Sequence, residues 1–141
     1  MTRIALSVVL ALFVNLALAQ APAKAPPLAL KGVDPVSYFN PGKPARGNAS
    51  IAYDFDEARY LFSSPKNKEL FAANPDKYAP QFSGLCTTGL AFGKNAEADP
   101  SVFLVRDGKL YVFSSAEARD MVEKDPSLLA KANGTWQKQH K

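Results

Sequence analysis

The chain has very few of the residues that build metal sites and thiol-based catalytic sites. Its 141 residues include one cysteine, Cys86, one histidine, His140, and two methionines. A single cysteine cannot form a disulfide within the chain, so the fold must rest on its hydrophobic core. One thiol and one imidazole cannot enclose zinc or copper with several soft ligands. A Ser-His-Asp or Cys-His catalytic set would need the next-to-last residue to fold back. The composition therefore requires no cofactor and makes an enzyme the less favoured class.

Patterns for binding phosphate and nucleic acid are missing as well. The sequence has no Cys-x-x-Cys pair and no glycine-rich loop followed by Lys-Ser/Thr. Its formal net charge is only +4, and no cluster of basic residues alternates with aromatic ones. Binding to a phosphate backbone depends on such clusters. We therefore expect no nucleic-acid partner.

The first residues have the pattern of a secretory signal peptide. Arg3 precedes the apolar run Ile4–Leu18, and Ala17 and Ala19 supply the small residues of a cleavage site. The run is shorter than the roughly 20 residues that a membrane-spanning helix needs. We expect residues 1–19 to be removed, which leaves an exported protein, periplasmic or secreted, that is free of the membrane.

The rest of the chain divides into a linker and one domain. Residues 20–29 are rich in proline and alanine, a composition typical of an extended linker. Residues 30–138 have the length of one small globular domain. Hydrophobic residues make up 47% of the chain, enough to supply a single core.

A strand–cap–helix pattern occurs twice. Tyr60–Tyr78 contains a short apolar strand, two serines, a proline, a helical stretch and an Asn-Pro stop. Tyr111–Pro126 repeats the strand, the serine pair, the helical stretch and a stop before proline, and its tyrosine, phenylalanine, both serines and final proline lie 51 positions after their counterparts. An offset that holds without a gap indicates internal duplication rather than coincidence.

Local signals set the expected boundaries of the first helix. Ser64 can cap it, and Pro65 suits its first position, where no amide hydrogen is needed. The helix should end near Ala73, because the residue before Pro75 is biased away from helical angles.

Each copy is preceded by a second apolar run that can form a β-hairpin with it. The runs are Ile51–Phe55 and Val102–Val105, and the turns are Asp56-Glu57 and Asp107-Gly108. We therefore predict an α+β fold: a small single domain with a short N-terminal helix and two β-hairpin–helix units. The segment that carries Cys86 would connect the first helix to the second hairpin. The pattern leaves open whether the hairpins share one sheet.

Three fragments together resemble the YHS domain family, small modules related to the TRASH-type metal-trafficking domains. They are Gly32–Phe39, with its Asp-Pro-Val-Ser-Tyr-Phe, then Tyr60–Ser64, then Asn74–Tyr78. The resemblance is good over residues 30–92 and looser over residues 99–136. It implies a binding module, with copper as the ligand that the family suggests.

The metal-binding branch of that family carries cysteines at three positions that this chain fills with other residues. Ser37 follows Asp-Pro-Val, Ser63 follows the Tyr-x-Phe strand, and Asn67 lies four residues further along. Neutral oxygen and amide groups bind soft metals poorly. The chain is more similar to the secreted branch, which keeps a cysteine in a glycine-flanked segment, here Cys86. It is the only soft candidate ligand.

Cys86 has three possible roles. Glycines 84, 89 and 93 surround it with small residues that could line a pocket with the thiol at its floor. Alternatively, it is a small buried hydrophobic residue, the common fate of a free cysteine. A reactive nucleophile is the third possibility, although no charged residue within five positions would activate it.

Four aromatic and hydroxyl residues are further candidates for ligand binding. Ser37 and Tyr38 could donate hydroxyls to a ligand, or could belong to a short helix capped by Asp34. Tyr60 and Tyr78 could form the rim of a pocket, or could be core aromatics.

The function expected from the sequence is that of an exported, non-catalytic YHS-domain binding protein. Its ligand, a metal ion or a small molecule, would lie near Cys86. One alternative is a protein-interaction module of the cell envelope, which exposed apolar patches would favour. Another is a thiol-dependent enzyme or redox protein that uses Cys86, which would need an activating partner beside the thiol.

Overall fold

The computed structural model describes residues 21–141, so the signal peptide predicted at residues 1–19 lies outside the described residues. The strands are β1 (Asn48–Phe55), β2 (Ala58–Phe62), β3 (Asp99–Arg106) and β4 (Lys109–Phe113). The helices are α1 (Pro65–Ala73), α2 (Pro75–Tyr78), α3 (Thr87–Ala91), α4 (Ala116–Lys124) and α5 (Ser127–Gln139). Three short 3-10 segments span Ala29–Gly32, Pro35–Tyr38 and Gln81–Gly84. No helix among these is long and apolar enough to cross a membrane.

The two β-hairpins have the same register, which confirms the α+β fold with its repeated hairpin–helix units. In the first hairpin Phe55 pairs with Ala58, and in the second Arg106 pairs with Lys109, 51 positions later. Both hairpins turn through two residues with positive φ, as the dipeptides predicted. The two hairpins also share an irregularity in strand pairing: the register shifts between Asn48 and Ala52 in β1 and between Asp99 and Phe103 in β3. A shared defect of this kind is expected of duplicated sequences.

The helix that follows each hairpin, α1 in the first unit and α4 in the second, begins and ends where the sequence predicts. The Ser64 hydroxyl accepts a hydrogen bond from the Asn67 amide at 3.2 Å, and α1 ends at Ala73. In the second unit the Ser115 hydroxyl accepts from the Ala118 amide at the same distance. Each serine satisfies an amide that the first turn of a helix leaves without a partner.

The duplication extends further toward the N-terminus than the sequence indicated. Each hairpin is preceded by a leading segment, residues 28–46 in the first unit and 80–97 in the second. The tight turns Ala29–Gly32 and Gln81–Gly84 open these segments, each with three successive residues of positive φ. We call residues 28–79 the first unit and residues 80–139 the second unit. The predicted N-terminal helix and the predicted connector are therefore counterparts.

The hairpins form two separate two-stranded sheets, which answers the question that the pattern left open. Leu28 of the first leading segment bridges to Arg59 on β2. Pro80 and Cys86 of the second leading segment bridge to β4. The leading segment of each unit therefore pairs with the second strand of that unit's hairpin, along β2 in the first unit and β4 in the second.

Two clusters of buried residues form the core, and the first unit contributes to both. One cluster gathers around Phe71, whose ring lies within 6.0 Å of four aromatic rings, those of Tyr53, Phe55, Tyr60 and Phe62. The other belongs mainly to the second unit but includes Leu30 and Tyr38. The Tyr38 ring packs against Phe103, with 4.9 Å between ring centroids. The two units are thus joined through shared core residues.

Replacing Phe71 by alanine should destabilise the protein by about 3–5 kcal/mol, because it empties the centre of a fully buried aromatic cluster. Phe92 is 57% exposed, so the same replacement there should change the free energy of unfolding by less than about 0.5 kcal/mol. Urea unfolding followed by circular dichroism measures both. Similar losses in the two variants would contradict the assignment of the core.

Candidate functional site

The carboxylate of Asp34 is a buried hydrogen-bond acceptor in the first unit. Asp34 is 0% exposed, and its Oδ1 accepts from the Val36 amide at 2.9 Å, which caps the 3-10 helix Pro35–Tyr38. Its Oδ2 accepts from the Ser63 amide at 2.8 Å and from the Ser63 hydroxyl at 2.7 Å. The side-chain amide of Asn67 donates to the same oxygen at 2.7 Å. Four donors therefore surround the buried charge, which the low-dielectric interior requires.

Cys86 occupies the corresponding place in the second unit. Its sulfur accepts from the Ser114 amide at 3.2 Å and from the Gly89 amide at 3.4 Å, and its thiol lies 3.4 Å from the Ser114 hydroxyl. The backbone amide of Cys86 donates to the Ala96 carbonyl at 2.9 Å, just as that of Asp34 donates to the Ala45 carbonyl. The aspartate and the cysteine are therefore equivalent residues of the repeat. Each links the leading segment of its unit to the serine that precedes the helix after the hairpin, α1 in the first unit and α4 in the second.

This equivalence indicates a structural role for the thiol. Cys86 is 1% exposed and belongs to the core cluster of the second unit. A side-chain carbon added at Gly89 would lie 3.1 Å from both the Lys94 carbonyl oxygen and the Ala96 side chain. The glycine-rich segment thus packs closely at this point, where the sequence suggested a pocket. Of the three roles, the small buried residue agrees best with this geometry.

The hydroxyls of Ser37 and Tyr38 are also used within the fold. The Ser37 hydroxyl donates to the Asp34 carbonyl at 2.6 Å and accepts from the Ala45 amide at 2.9 Å. The Tyr38 hydroxyl donates to the Pro100 carbonyl at 2.7 Å, which links the two units. Both residues are buried. The helix capped by Asp34 is therefore the reading that the structure supports.

The three positions where the metal-binding family branch carries cysteines do come together. Ser63 and Asn67 contact the Asp34 carboxylate, and Ser37 bonds to the Asp34 backbone. Here the hydroxyl and amide groups bond to aspartate and to one another. Within residues 21–141, no group of three or more His, Cys, Asp or Glu residues is placed to hold a metal ion.

Tyr78 and Tyr60 are both core aromatics, but their surroundings differ. The Tyr78 ring packs edge-on against Phe39, with 5.4 Å between centroids, and the Lys77 ammonium lies 5.0 Å from its centre. Tyr60 packs against Phe71 and also lines a cavity. Of the five candidate ligand-binding residues, Tyr60 alone borders this cavity.

That cavity is a cleft of about 580 Å³ at the junction of the two units. The first unit contributes the end of the linker, the β1–β2 turn with Tyr60, and the region of α2. The second unit contributes its leading turn, including Phe82, and Trp136 of α5. We call this cavity the junction cleft.

The junction cleft combines aromatic walls with an acidic rim. The Phe82 ring lies 6.0 Å from that of Trp136. Asp56 and Glu57 of the β1–β2 turn and Asp76 of α2 line the rim. Burial, with a smaller effect from the nearby Asp56 carboxylate, raises the pKa of Tyr60 to about 12. This phenol therefore stays neutral throughout the physiological pH range.

Sequence reasoning did not find the junction cleft. Phe82 and Trp136 lie 54 positions apart in the sequence and belong to no motif that marks a ligand site. The sequence did predict a hairpin turn at Asp56-Glu57, where two residues other than glycine adopt positive φ in the structure. A predicted turn does not indicate which residues pack beside it.

Comparison with known proteins provides no relative from which a function could be transferred. No protein-family model, no curated protein and no solved structure matches the chain. Membership of the YHS domain family therefore stays a prediction from the three sequence fragments. The site has to be interpreted from its own geometry.

The thiol of Cys86 should react with a water-soluble disulfide reagent only when the structure opens. We expect the native protein to react at least about a thousandfold more slowly than the urea-unfolded chain, because opening a core position costs several kcal/mol. The rate of release of the coloured thiolate measures this.

A matched control moves the thiol to the surface by combining Cys86→Ala with Phe92→Cys. This variant should react at the rate of a small free thiol, since position 92 is exposed. Equally fast labelling of native Cys86 would contradict the structural role and revive the thiol-enzyme hypothesis.

Proposed function

We propose that this protein is an exported, non-catalytic binding protein of the YHS type that takes a small molecule into the junction cleft. The observation that carries this proposal is the cleft itself, about 580 Å³ in volume and lined by both units. Pockets for small ligands in proteins have volumes of about 300–1,000 Å³ and combine apolar walls with a few polar groups. The junction cleft has a volume in this range, and its lining combines aromatic side chains with acidic and other polar ones.

The non-catalytic part of the proposal rests on how the reactive groups are used. Cys86, Ser37 and Tyr38 are buried, and their thiol and hydroxyl groups bond within the fold. A nucleophile must reach its substrate and must have a base within hydrogen-bond distance. The sulfur of Cys86 has Ser114 and Gly89 as partners instead. This arrangement favours binding over thiol chemistry.

A small molecule is favoured over a metal ion by the chemistry of the available groups. The positions at which the related metal-binding domains carry cysteine hold serine and asparagine, and these are bonded to Asp34. The junction cleft is instead lined by the aromatic residues Tyr60, Phe82 and Trp136. Aromatic walls suit an organic ligand.

The alternative of a protein-interaction module has less support. Within residues 21–141, the exposed large apolar side chains are Leu28, Phe92 and Met121. They lie in three separate parts of the chain, of which only Met121 belongs to a helix, and Leu28 lines the junction cleft. Single exposed apolar residues are common on soluble proteins and do not mark an interface by themselves.

Native mass spectrometry of the full chain purified from its own cell envelope tests the proposal. We expect a bound small mass that remains in Cys86→Ala and disappears in Trp136→Ala, since Trp136 forms part of the cleft wall and Cys86 does not. Circular dichroism establishes that both variants are folded.

A bound mass that disappears in Cys86→Ala and remains in Trp136→Ala would locate the ligand at the thiol and contradict binding in the junction cleft. A bare protein in the wild type would contradict the proposal as a whole. A mass that persists in both variants would place the ligand elsewhere on the surface, which contradicts the cleft as well.

A further inference from the structure

The rim of the junction cleft carries an unusual charge for this protein. Asp56, Glu57 and Asp76 line it, and no lysine or arginine does. Among residues 21–141, none of these three carboxylates has an ion-pair partner within 4.0 Å. The nearby Arg59 is held by Asp54, with 2.7 Å between Nε and Oδ1. The chain as a whole carries a formal charge of +4, so the rim is a local negative region on a positive protein.

A second and independent feature is the hydroxyl of Tyr60. The residue is 5% exposed and lines the cleft. Its hydroxyl has no hydrogen-bond partner in the part of the chain that the structure describes, whereas the hydroxyl of buried Tyr38 bonds to Pro100. This oxygen is not among the buried polar atoms that lack a partner, so solvent reaches it. The hydroxyl is therefore available to bond to water or to a ligand in the cleft.

The aromatic walls of the cleft add a third element. The rings of Phe82 and Trp136 are 6.0 Å apart, and Tyr60 contributes a third ring from the other unit. Aromatic faces attract cations, and the attraction increases as water is excluded. Carboxylates beside such faces increase the attraction, since they carry the opposite charge.

We propose that the ligand of the junction cleft is a small organic ammonium ion with an apolar or aromatic body. The body would lie against the rings, the ammonium group would face the Asp56-Glu57 turn and Asp76, and its N–H would donate to the Tyr60 oxygen. The inference rests on the proposed function, because it assigns a ligand class to that same cleft. An anionic ligand is disfavoured by all three carboxylates.

Three probes that share one benzene ring test the charge requirement: benzylamine, which is protonated at neutral pH, benzyl alcohol and benzoate. Trp136 is the only tryptophan of the chain, so intrinsic fluorescence reports directly on the cleft. We expect benzylamine to bind at least about tenfold more tightly than benzyl alcohol, and benzoate to bind least.

The repeat supplies a matched control for the charge. Asp107 occupies the same position in the second hairpin turn, also with positive φ, but does not line the cleft. Asp56→Asn combined with Glu57→Gln should weaken benzylamine binding by about five- to tenfold. Asp107→Asn should leave it unchanged. Tyr60→Phe should weaken benzylamine more than benzyl alcohol if the phenol oxygen accepts the ammonium N–H.

The outcomes separate this inference from the proposed function. Equal affinity for benzylamine and benzyl alcohol, or preference for benzoate, would overturn the inference that the ligand is a cation. The proposed function, a cleft that binds small molecules, would remain. An equal loss in Asp107→Asn would show a general charge effect and overturn the inference. Failure of all three probes to change Trp136 fluorescence would also overturn the inference. The mass-spectrometry result would still decide whether a small molecule binds in the cleft.

Discussion

The fold depends on one buried hydrogen-bond acceptor in each unit, placed where the leading segment meets the hairpin and the following helix. In the first unit the acceptor is the Asp34 carboxylate, which receives the Ser63 amide and hydroxyl and the Asn67 amide. In the second it is the Cys86 sulfur, which receives the Ser114 and Gly89 amides. A charged oxygen needs more donors than a sulfur does, which accounts for the richer set around the aspartate.

This arrangement explains why residues typical of functional sites are found inside the structure. A lone cysteine, a buried aspartate and a conspicuous Ser-Tyr pair all invite a catalytic or metal-binding interpretation. Each of them instead bonds within the repeat or between its copies. The Tyr60 hydroxyl and the acidic rim make no such bonds, and they lie where the two units meet. Duplication created that junction, so neither unit alone contains the junction cleft.

The sequence was sufficient for features that depend on neighbouring residues. Capping by Ser64, the helix stop before Pro75 and both hairpin turns follow from local chemistry and were predicted correctly. The repeat of the leading segments was missed because little except Gly32 and Gly84 is shared there, and because their offset is 52 instead of 51. The cleft was missed for a different reason: Phe82 and Trp136 meet only through tertiary packing.

Native-state hydrogen exchange by NMR tests the central claim most directly, because it observes individual amides at the two buried acceptors. In the wild type the amides of Ser63 and Ser114 should exchange as slowly as those of the core strands, although both serines are exposed residues. Cys86→Ala should accelerate exchange at Ser114 and Gly89 and leave Ser63 unchanged. Rapid exchange of the Ser114 amide in the wild type, at the rate of an exposed loop, would contradict the account.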